Sequence, residues 1–222
     1  MAEIARTDED IQADVLEEFR WDSRIRASDI GVQVRDGVVT LTGSVSVYPK
    51  KWAAADAAHK VRGVTAVANE IEVRLLPHWE RTDADIAEAV RRTLEWKASV
   101  PDNLEVTVSN GSVTLGGEVE WQYQKAEVER EVQAITGVTG VSNQINVKPT
   151  AKPSPTEMKR DIEAALVRSA EMDAGRITVE VDGGRVILRG AVRSYAEKRG
   201  AELVAWSAPG VSSVDNQIKI SY

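Results

Sequence analysis

Asp36-Gly37-Val38-Val39-Thr40-Leu41-Thr42-Gly43 is the stretch of sequence that decides the fold, because related stretches occur twice more along the chain. The related stretches are Asn110-Gly111-Ser112-Val113-Thr114-Leu115-Gly116-Gly117 and Gly183-Gly184-Arg185-Val186-Ile187-Leu188-Arg189-Gly190. A second signature follows each of them, namely Gly63-Val64…Asn69, Gly137-Val138…Asn143 and Gly210-Val211…Asn216. Both signatures recur at offsets of 74 and then 73 residues, so the 222-residue chain contains three related units.

The first segment of each unit is predicted to be a helix. Apolar residues recur there every four positions, which is the spacing of one buried helix face. The helices are expected to begin at Thr7, Thr82 and Thr156, with the apolar stripes Ile11/Val15/Phe19, Ile86/Val90/Leu94 and Ile162/Leu166/Ala170. Asp10 and Asp85 complete approximate capping boxes with Thr7 and Thr82, whereas Thr156 has Lys159 in that place.

Two alternating strands, a second helix and a last strand complete each unit. The dipeptides Asp36-Gly37, Asn110-Gly111 and Gly183-Gly184 favour tight hairpin turns between the first two strands. The second helices are predicted over 50–62, 123–135 and 196–207, and the last strands over 68–73, 142–147 and 215–220. The order α-β-β-α-β predicts the α+β class. Strand–helix–strand crossovers are right-handed with few exceptions, which indicates the topology of each unit. Each unit then has two helices packed on one face of a small three-stranded mixed sheet.

The predicted units cover residues 1–76, 77–148 and 149–222, and a proline-rich linker over 148–155 opens the third. Repeated glycines mark the hairpin turns, the ends of the second strands and the ends of the second helices, where a C′ glycine is common. These structural glycines are Gly37, Gly43, Gly63, Gly111, Gly117, Gly137, Gly184, Gly190 and Gly210.

The two signatures make the units resemble the BON domain (bacterial OsmY and nodulation). The residues that carry the resemblance are those at 36–43 and 110–117, and the three segments that begin at Gly63, Gly137 and Gly210 and end in asparagine. The resemblance implies a non-catalytic binding module associated with osmotic stress or the cell envelope, of a kind often linked to phospholipid surfaces and often exported to the periplasm. It implies no catalytic residue.

The composition narrows the function classes. A formal net charge of −7 disfavours nucleic-acid binding, which depends on a basic surface. The chain has no cysteine, and therefore no disulfide and no thiolate metal site. Neither an apolar stretch behind a positive N-terminus nor a membrane-spanning run is visible, so we expect a soluble cytoplasmic protein, or a periplasmic one if an export signal has been removed.

The residues that could carry chemistry form no familiar motif. His59 and His78 lack the spacing of metal ligands, and His59 is expected to be an exposed helix residue. The acidic run Asp8-Glu9-Asp10 suits the first turn of a helix. We therefore expect no enzyme, no cofactor and no metal.

The six tryptophans fall into two sets when the three units are compared. Trp21 and Trp96 are equivalent, and Met172 takes their place in the third unit, so these residues are predicted to pack at the end of the first helix. Trp52, Trp121 and Trp206 align with polar residues or alanine in at least one sister unit, and Trp79 lies in a linker. These four are candidate contacts between units, between subunits or with a lipid interface.

Arginines at 185, 189 and 193 are the candidate anion contacts. Arg185 and Arg189 alternate with Val186 and Leu188, which places them on the open face of the sheet. They either pair with Glu180 and Asp182 on the neighbouring strand, or contact an anionic partner such as a phospholipid headgroup or the acidic middle unit.

Taken together, the sequence predicts a stress- or envelope-associated binding or assembly module that acts through protein–protein contacts or self-association. The alternative is a peripheral phospholipid-binding protein that uses exposed tryptophan and arginine.

Overall fold

A computed structural model of the chain describes residues 6–97, 101, 103–169 and 174–221. The order α-β-β-α-β occurs three times, which confirms the predicted fold class. The first repeat contains α1 (Asp8–Trp21), β1 (Ile30–Arg35), β2 (Val38–Val45), α2 (Tyr48–Lys60), β3 (Ala66–Asn69) and β4 (Glu72–Val73). The second contains α3 (Asp83–Glu95), β5 (Glu105–Ser109), β6 (Ser112–Gly116), β7 (Glu118–Val119), α4 (Gln122–Gln133), β8 (Gly140–Asn143) and β9 (Asn146–Val147). The third contains α5 (Pro155–Arg168), β10 (Ile177–Asp182), β11 (Arg185–Val192), α6 (Tyr195–Trp206), β12 (Ser213–Asn216) and β13 (Lys219–Ile220).

The sheets are mixed, as predicted. β1 and β2 form an antiparallel hairpin in which Val32 lies opposite Leu41, and β3 joins β2 in parallel. β10, β11 and β12 repeat this arrangement in the third repeat, and β5, β6 and β8 repeat it in the second. Val39 and Leu41 are fully buried, because alternation along β2 turns both side chains toward the helices.

Each last strand is interrupted, which the sequence patterns do not predict. The continuous strands expected over 68–73, 142–147 and 215–220 are each two short strands. In the first and third repeats both short strands pair with one long strand, which is β2 or β11. In the second repeat β8 pairs with β6, and β9 pairs with β7. The interruption turns the side chains of Ile71, Ile145 and Ile218 into the core, where each is 1% exposed. Burial of an isoleucine by the interruption stabilises its repeat by about 2 kcal/mol.

The helix starts are confirmed for two repeats and corrected for the third. Thr7 and Thr82 both form full capping boxes with the aspartate three residues later. In the third repeat the N-cap is Ser154, two residues before the predicted Thr156, and it accepts from the backbone N–H of Glu157 at 3.3 Å. Pro155 then occupies the first helical position, where its missing N–H leaves no hydrogen bond unmade.

Gly63, Gly137 and Gly210 do not occupy the predicted C′ position. The second helices end at Lys60, Gln133 and Trp206, so each glycine lies in the loop before the next strand. Glycine is required at Gly63 because its φ is +103° and a Cβ there would approach the side chain of Ile11 to 2.7 Å. The first helix of the repeat thus packs directly against this loop.

The chain divides into two compact units. One comprises Met1–Gly43, Ala53–Glu70 and Thr150–Tyr222, and the other comprises Ser44–Trp52 and Ile71–Pro149. In the first unit, the core of the third repeat is built from Met158, Ile162, Leu166, Val186 and Leu188. In the second unit, Ile86, Val90, Leu115, Val128 and Val132 form the core, and Tyr48 packs against it. No described helix is both long and apolar enough to span a bilayer.

Candidate functional site

Trp21 and Trp96 lie in solvent, which reverses their predicted packing role. Their exposed fractions are 86% and 85%. The reason is helical phase: Phe19 belongs to the buried stripe, and Trp21 follows it by two residues, about 200° around the helix. Met172, the equivalent residue of the third repeat, lies outside the described residues. Two repeats therefore present an exposed indole at the same place, the end of the first helix.

The other four tryptophans are less exposed than Trp21 and Trp96. Trp52 is 39% exposed, and Trp79, Trp121 and Trp206 are half-buried. Trp206 packs against the core of its own repeat, so its own fold accounts for much of its burial. Trp79 lies edge-on to the exposed imidazole of His78, with ring centroids 5.0 Å apart.

His59 is half-buried at a contact between the first and third repeats, which corrects the expectation that it is exposed. Its imidazole on α2 stacks on the ring of Tyr195 at the start of α6, with centroids 3.8 Å apart and an interplanar angle of 14°. Beside the stack, Arg199 Nη1 lies 3.0 Å from Asp56 Oδ1. The pKa of His59 is lowered, first by burial and then by the positive charge of Arg199.

Tyr48 makes a comparable contact in the other unit. It is the first residue of α2, it packs against the core of the second repeat, and its hydroxyl is hydrogen-bonded to the backbone of Val141. Burial raises the pKa of this hydroxyl. Tyr48 and Tyr195 occupy the same position in their repeats, and the second repeat has Gln122 there. The shared tyrosine is visible when the three copies are aligned with one another. The sequence patterns nevertheless do not predict either tyrosine as a contact residue.

The arginines on the open face of the third sheet are already paired. Arg185 Nη2 lies 2.7 Å from Asp215 Oδ2 on the parallel strand β12, and this contact replaces the expected pairing with Asp182. Arg189 forms an ion pair with Glu180, as one of the two interpretations predicted, and its Nε donates to Gln217 at 3.0 Å. Arg193 is exposed just beyond the strand, and its backbone N–H donates to Glu197.

Asp8 and Asp83 hold the hairpin turns, a role that the sequence patterns do not indicate. The two carboxylate oxygens of Asp8 accept from the backbone N–H groups of Asp36 and Gly37 at 2.8 and 3.0 Å. Asp83 accepts from Asn110 and Gly111 at 2.9 and 2.8 Å. A negative oxygen facing two amide protons is a charge-assisted bond, so each aspartate ties its helix to its hairpin.

Groups suited to chemistry do not converge within the described part of the chain. A groove of about 630 Å³ runs along α3 in the second repeat. Its lining is largely apolar, and two of its charged residues, Arg91 and Glu95, are paired with each other. Among the described residues, no three histidine or acidic side chains are grouped so that they could hold a metal ion.

Comparison with known families identifies the three repeats. The BON domain model matches residues 7–74, 82–149 and 156–222. The chain therefore belongs to the BON domain family. One curated relative is the Osmotically-inducible protein Y of Escherichia coli (strain K12), which is 32% identical over 123 residues. That match covers 53% of this chain and 61% of the relative's length.

Two solved structures of CdsD, described as a structural protein of the Type III secretion system of Chlamydia trachomatis, also match. Both are 12% identical to this chain, with a TM-score of 0.27. One match covers 96% of this chain and 92% of the chain in that structure, and the other, described as the C-terminal domain of CdsD, covers 100% of both chains. At this TM-score the likeness carries no structural or functional conclusion.

Proposed function

We propose that this BON protein is a non-catalytic assembly module of the osmotic-stress response, and that it self-associates through Trp21 and Trp96. The observation that carries the proposal is the exposure of these two indoles at equivalent ends of α1 and α3. The name of the relative, Osmotically-inducible protein Y, supports the osmotic context. Because α1 and α3 end in the same exposed side chain, the same binding role in both repeats is supported.

An indole in water favours association. Tryptophan combines a large apolar surface with one N–H donor, and it is enriched where proteins bind one another. The last two turns of α1, which end at Trp21, contain three acidic residues and one basic residue, which are Asp14, Glu17, Glu18 and Arg20. The third repeat, by contrast, has 11 basic and 10 acidic residues over 151–222. A second copy of the chain therefore offers a less acidic surface to the acidic end of the first repeat, which favours a second copy as the occupant.

The experiment measures mass in solution over a range of concentrations. Light scattering is expected to give a mass above 24.3 kDa that rises with concentration. The double variant Trp21→Ser/Trp96→Ser is expected to return the mass to that of one chain. Tyr123→Ser/Leu203→Ser is the matched control, because these residues are also exposed and apolar but lie on the second helices, α4 and α6. A wild-type chain that stays monomeric at high concentration contradicts self-association.

The phospholipid alternative has one supporting observation, since the same exposed indoles suit a membrane interface. One observation opposes it. Arg185 is paired with Asp215, and Arg189 is paired with Glu180. These arginines therefore offer little uncompensated positive charge for an anionic headgroup. Cosedimentation with vesicles of anionic phospholipid at low salt tests this alternative. Pelleting that disappears in Trp21→Ser/Trp96→Ser but survives Arg185→Gln would favour a lipid surface reached through the indoles alone.

A further inference from the structure

The contact between α2 and α6 joins the first repeat to the third. The rings of His59 and Tyr195 stack on each other in this contact. The charged part is Asp56, which accepts from Arg199 at 3.0 Å and from Lys60 at 3.2 Å. The two repeats are separated in sequence by the whole second repeat, so this contact joins distant parts of the chain.

The imidazole of His59 is poorly placed to accept a proton. Its Nδ1 is shielded from water and has no hydrogen-bond partner among the residues that the structure describes. A charged imidazole needs an acceptor for the N–H on each nitrogen, and burial without one is unfavourable.

The charges around the imidazole also oppose protonation. The charged groups that act on His59 are Asp56 from α2 and Arg199 from α6, and the ring of Tyr195 from α6 lies against the imidazole. Lys60 on α2 is paired with Asp56. Asp56 is the acid among them, and its carboxylate is already shared by two cations. A stacked phenol ring attracts a cation, but here a new cation would stand beside Arg199, whose charge repels it.

We propose that the α2–α6 contact is an acid-sensitive latch, which opens when His59 is protonated and separates the third repeat from the first. This device goes beyond the proposed self-association and does not depend on it. It would let mild acid expose the helix faces that the closed latch covers.

The direction of the pH effect follows from proton linkage. In the open form His59 is in water and titrates near 6.5, whereas in the closed form the pKa of His59 is lower. The open form therefore binds the proton more tightly, and closure is fully favoured above about pH 6.5. Below that pH, each further unit favours the open form about tenfold, until the imidazole of the closed form is itself protonated.

The chain has two histidines in all, so the imidazole signals of His59 and His78 can be assigned by their replacement one at a time. NMR of the full chain between pH 7.5 and 4.5 follows both imidazoles, together with the ring-to-ring cross-peak of His59 and Tyr195. The expected result is a midpoint for His59 below the ordinary histidine value of 6.5, with the cross-peak lost as His59 becomes charged. A cross-peak that persists after His59 is protonated overturns the latch.

Two variants locate the effect. His59→Gln places an uncharged side chain where the second repeat carries Gln133, which is 8% exposed, so glutamine is compatible with this position of the fold. In this variant, the amides of α2 and α6 are expected to stay protected from hydrogen exchange at pH 5, whereas those of the wild type lose protection. His78→Gln is the control and should behave as the wild type. Equal loss of protection in His59→Gln and the wild type would show that another group is responsible.

Discussion

Asn216 connects the interrupted last strand of the third repeat to α6, and its replacement is the sharpest test of this fold. Its Nδ2 donates to the backbone carbonyl of Lys198 at 2.9 Å and to Glu202 Oε2 at 3.1 Å. Its Oδ1 accepts from the backbone N–H of Ile218 at 3.3 Å. Asn143 makes the same three kinds of contact in the second repeat, with Lys125, Glu129 and Ile145. The asparagine that ends the second signature in these two repeats therefore has a structural role, which is to join the last strand to the second helix.

The variant Asn216→Ala removes three half-buried hydrogen bonds at once. Each such bond contributes about 1 kcal/mol net, and the N–H of Ile218 loses the partner that Asn216 provided. Because water can reach part of this site, we expect a loss of about 2–3 kcal/mol rather than more. That change corresponds to an increase of about 30- to 150-fold in the population of the locally opened repeat.

Native-state hydrogen exchange is the assay, because it measures the third repeat separately from the rest of the chain. The amides of β11 report the opening, since this strand pairs with both β10 and β12. Ser213→Ala is the control: this exposed residue lies on the same short strand, and its replacement should change stability by less than about 0.5 kcal/mol. An exchange rate in Asn216→Ala within threefold of the control would refute the reasoning.

Two further predictions concern close packing at glycines and an ion pair of the first repeat. Gly63→Ala should destabilise the first repeat by about 3 kcal/mol in urea unfolding, because the Cβ would meet Ile11 at 2.7 Å in a left-handed backbone. Gly183→Ala, at φ +58° with open space around it, should cost only about 1 kcal/mol, and equal losses would contradict the role of close packing. Asp22, whose pKa is lowered from 3.8 to about 2 chiefly by its hydrogen bond with Arg24, should stabilise the fold above about pH 4. Because Arg24 is half-exposed and the ion pair is screened by water, we expect a loss of about 1 kcal/mol in the free energy of unfolding as the pH falls from 4 to 2. Asp22→Asn should remove this pH dependence when stability is measured across the acid range.

The sequence is sufficient for the architecture of a repeat, because the relevant signals are local. Period-four stripes such as Ile11, Val15 and Phe19 are the residues that α1 buries, and the alternation of Val39 and Leu41 marks the inner face of β2. The interruption at Glu70 and Ile71 is not predicted, because a residue pattern does not reveal where a strand leaves the backbone hydrogen-bond ladder for two residues.

The candidate site is less predictable, for two different physical reasons. The position of His59 depends on Tyr195, which lies 136 residues away in sequence, and no local pattern carries that information. The exposure of Trp21 is predictable in principle, since the phase of the stripe through Phe19 turns it away from the core. An apolar residue shared by the copies is not by itself evidence of packing within each copy.

Comparison of the three copies separates two kinds of constraint on a side chain. A residue that contacts only its own repeat meets the same surroundings in every copy, as Asn143 and Asn216 do. A residue that contacts another repeat meets different surroundings, and His59 accordingly has Gln133 as its counterpart. Trp21 and Trp96 fit neither kind, because they are alike in two copies and yet packed by neither. A shared residue that its own repeat does not bury is not explained by the packing of that repeat, and this is the observation on which the proposed self-association rests.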